Sequence, residues 1–394
     1  MLQIDGQRLN QTLKKLGEIG WVEGEGLQRP AYTEAYFEAQ AFLRREMESA
    51  GLQTRVDSVG NLFGVLPGEN GKKILTGSHL DSVYNGGIYD GPLGIAAGLE
   101  ALRSMKEQGY VPKHTMEVAA FIAEEGEPLG GTFGSRAFAG MIAPGYKNDT
   151  LKRFGLSDDD VAASKAERSD YAAFLELHIE QGPYLERKGL PLGIPSGIVG
   201  IARYNVVIEG AANHAGTTPM RERSDAMRAA ADLIHEWYLY MDLQNDLVCN
   251  VGVLDIVPAH VSVVPEKVTF CLELRSLSEE KLKEAADEMQ TLIADIPRCK
   301  GHMESLGAKA PVALDGEIVK LLSSICEAKQ WPAEIMPSGA SHDAAAIAKV
   351  IPTGMIFVPS KNGVSHSKEE YTSPEEIAHG GELLLAALLE LDRR

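Results

Sequence analysis

The chain has 394 residues, 44% of them hydrophobic, which suits a globular α/β protein of about two domains. Its formal net charge of −18 repels phosphate backbones and anionic lipids, so we expect neither nucleic-acid nor membrane binding. The N-terminus has no basic segment followed by an apolar core, no stretch approaches the roughly 20 apolar residues of a membrane span, and the four cysteines form no CxxC pair. These features predict a soluble cytoplasmic protein.

Helical patterns dominate the first 50 residues. Leucines recur at helical spacing over Leu9–Leu16, and a second amphipathic pattern covers Ala31–Ala50, with Gly51 as its predicted end. Short strands are then predicted at Gln53–Val56 and Asn61–Leu66.

Four later apolar runs are each followed by side chains that can bind a metal. The runs are Ile74–Thr76, Met116–Ala123, Phe174–Leu177 and Met355–Val358. The residues that follow them are, in the same order, His79 with Asp81 and Asp90, Glu124 with Glu125, His178, and His366. Any one of these residues alone is better explained as part of a hydrogen-bonded polar turn. Together they predict a shared metal site, because ligands bind beyond the carboxyl ends of the strands in open α/β sheets.

Between residues 204 and 313 the pattern changes to a small α+β arrangement. Its predicted strands are Tyr204–Ile208, Val248–Val253 and Val268–Leu274, and its predicted helices are Asp225–Tyr240 and Glu279–Ile293. We therefore expect an α/β fold in which residues 1–203 and 314–394 form a catalytic domain with a central, mostly parallel sheet flanked by helices. Residues 204–313 would form a smaller inserted domain.

The candidate ligands favour a two-metal centre. They are His79, Asp90, Glu125, His178 and His366. Imidazoles and carboxylates without thiolates suit Zn²⁺, Mn²⁺ or Co²⁺. Five protein ligands exceed the number that one catalytic zinc ion uses, and they fit two divalent ions that share a carboxylate. Asp90 is the best bridging candidate, because the glycine loop before it lets the backbone approach closely.

Two further carboxylates have predicted roles beside these ligands. Glu124 is adjacent to Glu125 and is not needed as a ligand, so it suits a general base for a metal-activated water. A solvated carboxylate at the rim of the site is the alternative for Glu124. Asp81 lies two residues after His79, and we expect it to orient that imidazole.

The segments that carry these residues resemble the M20 metallopeptidase superfamily. They are H-L-D, Y-D-G, E-E-G, H-I-E-Q-G, N-H-A-G-T-T-P-M, S-G-A-S-H-D-A and G-V-S-H, and they span nearly the whole chain. Within the superfamily they resemble the amidase, hydantoinase and carbamoylase branch, which includes N-carbamoyl-L-amino acid hydrolases, β-ureidopropionases and allantoate amidohydrolases. Peptidase relatives usually place a carboxylate where His178 stands.

The resemblance implies a role for each of several residues. One metal would be held by His79, Asp90 and His178, and the other by Asp90, Glu125 and His366. The insert would be a lid and dimerisation domain of a homodimer, with His214 reaching a neighbouring subunit's active site and stabilising an oxyanion. Gln181 and Arg275 match substrate-contacting positions, and Arg275 would clamp the substrate carboxylate. Asn213 is a further substrate-binding candidate.

The substrate assignment is the open part of this prediction. Relatives commonly carry P-N-x-x-N-x-x-P before the arginine strand, whereas the run Pro258–Pro265 lacks both asparagines and leaves Ser262 as a partial substitute. We predict hydrolysis of a linear C–N bond in a small carboxylate-bearing substrate, with N-carbamoyl-L-amino acids preferred. Allantoate, N-carbamoyl-β-alanine and N-acyl amino acids stay open, and a dipeptidase or a non-catalytic metal-dependent binder is less favoured.

Overall fold

Two structural units make up the described residues, 2–126 and 128–394, in a computed structural model of the chain. The larger unit comprises the chain up to Ser196 together with Ala313–Arg394, and the smaller unit is Gly197–Val312. The smaller unit begins several residues before the boundary predicted at 204. The reason is that its first strand starts at Gly200, within glycine-rich sequence that resembles a linker.

The helices and strands of the described residues follow in chain order. The α-helices are α1 (Gly6–Glu18), α2 (Glu34–Ser49), α3 (Pro92–Glu107), α4 (Phe133–Phe138), α5 (Asn148–Arg153), α6 (Asp158–Ala163), α7 (Tyr184–Lys188), α8 (Ala226–Met241), α9 (Glu279–Ala294), α10 (Gly316–Lys329), α11 (Asp343–Ile347) and α12 (Pro374–Asp392). The β-strands are β1 (Trp21–Val22), β2 (Gly26–Leu27), β3 (Gln53–Val56), β4 (Leu62–Leu66), β5 (Lys73–His79), β6 (Thr115–Phe121), β7 (Tyr171–Ile179), β8 (Leu192–Ile198), β9 (Gly200–Glu209), β10 (Asn213–His214), β11 (Val248–Val257), β12 (Val263–Val264), β13 (Lys267–Ser276), β14 (Lys300–Lys309), β15 (Val312–Ala313), β16 (Ala333–Ser338) and β17 (Thr353–Val358).

The larger unit is built on a mixed sheet with a parallel centre. Its strand order is β15-β8-β17-β7-β5-β6-β4-β3, with β16 beside β8. Strands β17, β7, β5 and β6 are parallel to one another, and the pairs β6–β4, β4–β3 and β17–β8 are antiparallel. The four parallel strands are almost entirely buried, as expected for the apolar runs of a sheet covered on both faces. Helix α3 packs against β5 and β6, and α12 packs against β7 and β17. The predicted α/β fold with a mostly parallel sheet and flanking helices is confirmed.

Local capping decides where the second helix begins. The sequence pattern predicted a helix from Ala31, but α2 begins at Glu34. Thr33 has an extended backbone, and its side chain accepts a hydrogen bond from the N–H of Tyr36, which makes it the N-cap. The helix ends beside Gly51, whose φ of +74° is readily adopted by glycine.

The smaller unit is an antiparallel sheet with two helices packed on one face. The strand order is β11-β13-β9-β14, and every pair is antiparallel. Residues of β13 alternate between buried and partly exposed, so that Phe270 and Leu272 face a core completed by Trp237 of α8 and Met289 of α9. This matches the predicted α+β insert. In both units, none of the described helices is long and apolar enough to cross a membrane.

Candidate metal centre

The predicted ligands converge at the carboxyl edge of the parallel strands. Strand β5 ends at His79 and β7 ends one residue after His178, while the loops after β6 and β17 carry Glu125 and His366. Among the described residues, three sets of three residues have ligand atoms within 4.8 Å of one another, and two of these sets consist of predicted ligands. The first ligand group is His79, Asp90 and His178, and the second ligand group is Asp90, Glu125 and His366.

Asp90 belongs to both groups, and its two oxygens face different partners. Asp90 Oδ1 lies 3.1 Å from His178 Nε2 and 3.5 Å from His79 Nε2. Asp90 Oδ2 lies 3.1 Å from His366 Nε2, which is also 3.5 Å from Glu125 Oε2. A carboxylate placed in this way can bridge two cations, one at each oxygen.

Backbone carbonyls determine the tautomer of two imidazoles. His79 Nδ1 lies 3.0 Å from the carbonyl oxygen of Asp81, and His178 Nδ1 lies 2.9 Å from that of Ile179. Because a carbonyl can only accept a hydrogen bond, each Nδ1 carries the proton and each Nε2 presents a lone pair. His178 Nε2 is buried and makes no hydrogen bond to any residue that the structure describes. A lone pair of this kind, beside carboxylates, fits coordination of a divalent metal ion.

Gly91 allows the chain to pass close to the first ligand group. Its φ is +84°, and a Cβ at this position would lie 2.5 Å from Nδ1 and Cε1 of His79. Glycine accepts both the left-handed backbone and the close approach. Pro92 then begins α3, whose first turn follows Asp90 directly.

Asp81 holds the loop that carries the two adjacent glutamates. Ala123, with a φ of +58°, turns the chain after β6. The N–H groups of Glu124 and Glu125 then donate to Asp81 Oδ1 and Oδ2, each at 3.1 Å. This differs from the sequence prediction, in which the Asp81 carboxylate oriented His79. The backbone carbonyl of Asp81 contacts that imidazole, because the carboxylate is already used by two amides.

Burial and charge perturb the carboxyl groups of the centre. Burial raises the pKa of Glu124 well above its ordinary value. Burial and the neighbouring Asp90 raise the pKa of Glu125 to about 7. Burial alone would also raise the pKa of Asp90, but its contacts with the imidazoles of His178, His366 and His79 hold the pKa well below its usual range. Carboxyl groups crowded in this way are stabilised by a bound divalent cation.

A hydrogen-bonded support around Asp90 was missing from the sequence prediction. Glu370 is buried, and its Oε1 accepts from the N–H groups of Tyr89 and Asp90 at 2.9 and 3.1 Å. Gln181 Nε2 donates to Asp90 Oδ2 at 2.9 Å, so its amide contacts the proposed bridge and not only a substrate. The available signal for Glu370 was its place four residues after His366 in the S-H-S-K-E-E run.

A third set of residues within 4.8 Å comprises Glu176, His178 and His342. Glu176 already accepts from the hydroxyl of Ser78 and from the N–H of Ala344. His342 is the N-cap residue of α11, and its ring centroid lies 4.4 Å from that of His178. Burial lowers the pKa of His342 well below its ordinary value, so a neutral ring packs against the ligand imidazole. Glu176 and His342 are thus buried neighbours of His178 in the first ligand group.

The remaining predicted substrate residues lie in the smaller unit. Asn213 and His214 form β10, which is exposed and pairs with β12. His214 Nδ1 accepts from the N–H of Gly216 at 3.0 Å, so the neutral ring carries its proton on Nε2. Ser262 adjoins this ribbon, and its carbonyl accepts from the N–H following His214. Arg275 lies instead near the end of β13, where it forms an ion pair with Glu273.

Comparisons with known proteins agree with one another. The sequence profile of peptidase family M20/M25/M40 matches residues 75–390. The chain is 38% identical to an N-carbamoyl-L-amino acid amidohydrolase of Geobacillus stearothermophilus, over 98% of this chain and 99% of that one. It is 36% identical to an allantoate amidohydrolase of Bacillus subtilis, with 97% of each chain covered. An amidase of the hydantoinase/carbamoylase family from Burkholderia multivorans has a crystal structure that matches with a TM-score of 0.91 at 30% identity, covering 100% of this chain and 99% of that one.

Proposed function

Because the chain belongs to peptidase family M20/M25/M40, in its hydantoinase/carbamoylase branch, we propose that it hydrolyses N-carbamoyl-L-amino acids. The products would be the L-amino acid, carbon dioxide and ammonia. The resemblance predicted from the motifs is confirmed, and so is the class of enzyme, an amidohydrolase acting on linear amide or ureido C–N bonds.

The main structural support for metal-dependent hydrolysis is the position of the Asp90 carboxylate between the two ligand groups. We propose two divalent ions, Zn²⁺, Mn²⁺ or Co²⁺, one in each group, with Asp90 as the shared ligand. When bound, such ions polarise the ureido carbonyl and lower the pKa of a water molecule towards neutrality. The absence of thiolates from both groups supports this choice of metals.

Glu124 is the proposed general acid and base. Its carboxyl group is 8% exposed and belongs to neither ligand group, so it is available for proton transfer. Burial raises its pKa above that of an ordinary glutamate, the direction that makes a carboxylate a stronger base. Glu124 would accept a proton from the attacking water and deliver it to the leaving nitrogen as the C–N bond breaks.

The smaller unit is proposed to act as a lid and to form a homodimer. His214 would donate its Nε2 proton to the oxyanion in a neighbouring subunit, consistent with its exposed position on β10. Strand β11 lies at a sheet edge and exposes Val253 and Val257, at 56% and 48%, which supports pairing with a second chain. A monomeric mass in sedimentation at micromolar concentration would contradict the dimer.

The substrate carboxylate is proposed to bind Arg275, with Asn213 and Ser262 as further polar contacts. The guanidinium group can pair with a carboxylate in a bidentate way. Gln181 would contact substrate only through the part of its amide that does not face Asp90. We also expect a cytoplasmic location, since all four cysteines are free.

Allantoate is the second candidate substrate, because the Bacillus subtilis relative at 36% identity is an allantoate amidohydrolase. N-Carbamoyl-β-alanine and N-acyl amino acids are the remaining candidates. The proposal is tested with purified protein loaded in turn with Zn²⁺, Mn²⁺ and Co²⁺. Ammonia release should be fastest from N-carbamoyl-L-amino acids. Faster release from allantoate, or amino acid release from N-acyl substrates without ammonia, would replace the proposed substrate.

Glu124→Gln separates metal binding from proton transfer. The variant should retain its metal content, because Glu124 is in neither ligand group. It should lose roughly 10²–10⁴-fold in kcat, which is the usual contribution of a general acid or base. Both are measured on the same preparation, by elemental analysis and by ammonia release. A kcat within about threefold of the wild type would remove Glu124 from this role.

A further inference from the structure

We propose that Glu370, Ser365 and Gln181 form a hydrogen-bonded chain that directs the Asp90 carboxylate towards the metal of the second ligand group. Glu370 is then a positioning residue, because it acts on Asp90 and touches neither substrate nor reacting atoms. This inference rests on the proposed function, in which Asp90 bridges two metal ions.

Glu370 first fixes the backbone of Asp90. Its Oε1 accepts from two successive amides, those of Tyr89 and Asp90, at 2.9 and 3.1 Å. It reaches them only because residue 87 is glycine, since a Cβ there would overlap the Glu370 carboxylate. A buried carboxylate that accepts from two successive N–H groups restricts strongly both Tyr89 and the amide nitrogen of Asp90. The Asp90 side chain therefore leaves the backbone from a fixed position.

The second oxygen of Glu370, Oε2, sets the direction of the hydrogen bonds between Gln181, Ser365 and Glu370. Ser365 Oγ lies 2.9 Å from Glu370 Oε2 and 3.3 Å from Asp90 Oδ2. Gln181 Nε2 lies 2.9 Å from Asp90 Oδ2 and 3.2 Å from Ser365 Oγ. The Gln181 amide has two protons, one for each of these acceptors, and the Ser365 hydroxyl has one. Ser365 therefore accepts from Gln181 and donates to Glu370.

This direction leaves Asp90 Oδ2 free to bind a metal. The oxygen receives one proton from Gln181 at 2.9 Å, while the single hydroxyl proton of Ser365 is directed to Glu370 Oε2 at 2.9 Å and not to Asp90 Oδ2 at 3.3 Å. Glu370→Gln would reverse the direction of these hydrogen bonds. The one side-chain oxygen left at position 370 would still accept from the two backbone amides, and the new NH₂ group would donate to Ser365 Oγ. The hydroxyl proton of Ser365 would then turn to Asp90 Oδ2, where a second donor competes with the metal for the lone pairs.

The experiment measures metal affinity at equilibrium by competition with a chromophoric chelator, using the full-length protein. We expect Glu370→Gln to weaken one of the two bound ions by about 10–100-fold, the usual effect of a changed partner behind a metal ligand, and to leave the other unchanged. Glu369→Gln is the matched control, because Glu369 is exposed and its carboxylate accepts from the hydroxyl of Ser367. It should bind both ions as the wild type does.

Ser365→Ala tests the same chain without changing the carboxylate. It removes the hydroxyl whose proton Glu370→Gln would turn to Asp90 Oδ2, so it should bind both ions within about threefold of the wild type. In the double variant it should restore the ion that Glu370→Gln weakens. Unchanged affinity in Glu370→Gln, or a double variant that binds no better than Glu370→Gln, would overturn the inference. If Glu370→Gln does not fold, a loss of about tenfold or more in Ser365→Ala alone would overturn it, because that hydroxyl is inferred to donate to Glu370 and not to Asp90.

The wild-type protein separates this inference from the proposed function. If it binds no metal and releases no ammonia from any candidate substrate, both proposals fall. If it binds two ions and is active while Glu370→Gln binds them as the control does, only the positioning role falls.

Discussion

Asp81→Asn should weaken the attachment of the loop that carries Glu124, the proposed general base. Asp81 is 1% exposed, and each of its oxygens accepts from one amide, those of Glu124 and Glu125 at 3.1 Å. The asparagine keeps one acceptor, but its NH₂ group faces the other N–H. The protein loses one charge-assisted hydrogen bond and leaves a buried donor unpaired, which together cost roughly 2–4 kcal/mol of unfolding free energy.

The effect on catalysis should exceed the effect on stability. The new NH₂ group and the backbone N–H that it faces are both donors and cannot remain at hydrogen-bond distance, so the loop must shift. A displacement of about 1 Å at a reacting group costs on the order of 100-fold in rate. We therefore expect kcat to fall about 100-fold while KM changes little. Steady-state ammonia release gives both constants, and urea unfolding followed by circular dichroism gives the stability.

Asp392→Asn is a matched control, because Asp392 holds the chain at the start of β6, the strand whose other end leads to Glu124. Asp392 is also buried, and its oxygens accept from the amides of Lys113 and His114, just before β6 begins. This variant should lose a similar amount of stability and keep its kcat. If Asp81→Asn keeps kcat within about twofold, or if Asp392→Asn lowers kcat equally, the positioning argument is refuted.

Three further predictions address the metals and the substrate. Gly91→Ala should weaken metal binding at least about tenfold, since its Cβ would lie 2.5 Å from the imidazole of His79. Gly109→Ala should leave metal binding unchanged, because Gly109 also has a positive φ, +73°, but has no atom within 4 Å of the added Cβ. In metal-free protein the pKa of Glu125 is raised from 4.5 to about 7, so the folded state holds a proton that the unfolded chain has lost. The free energy of unfolding should therefore fall as the pH rises from 4.5 to about 7, by roughly 3 kcal/mol more than in Glu125→Gln. A rise in the free energy of unfolding over this range would refute the prediction. Arg275→Lys should raise KM about tenfold with little change in kcat. Arg203→Lys alters the other arginine that pairs with Glu273, and it should leave KM unchanged. An equal rise of KM in both variants would contradict the proposal that Arg275 binds the substrate carboxylate.

The ligand types and their strands could be predicted from the sequence because both depend on short stretches of chain. Apolar runs such as Met116–Ala123 must be buried, and buried parallel strands place their carboxyl ends at one edge. His79 and His178 therefore had to lie at the same edge of the sheet. The inserted unit was predictable for the same reason, since the alternation along β13 is a local property.

Only the tertiary structure decided how the ligands are held. Asp81 uses its carboxylate for the amides of Glu124 and Glu125 because those amides arrive from another strand, 43 and 44 residues away. Glu370 reaches the amide of Asp90 across 280 residues. Hydrogen bonds of this kind depend on which backbone groups folding brings within about 3 Å, and no periodicity in the sequence encodes that distance. The sequence alone determined which side chains can bind metal, with Asp90 as the candidate bridge, and the fold determined which groups hold Asp90, Glu124 and Glu125 in place.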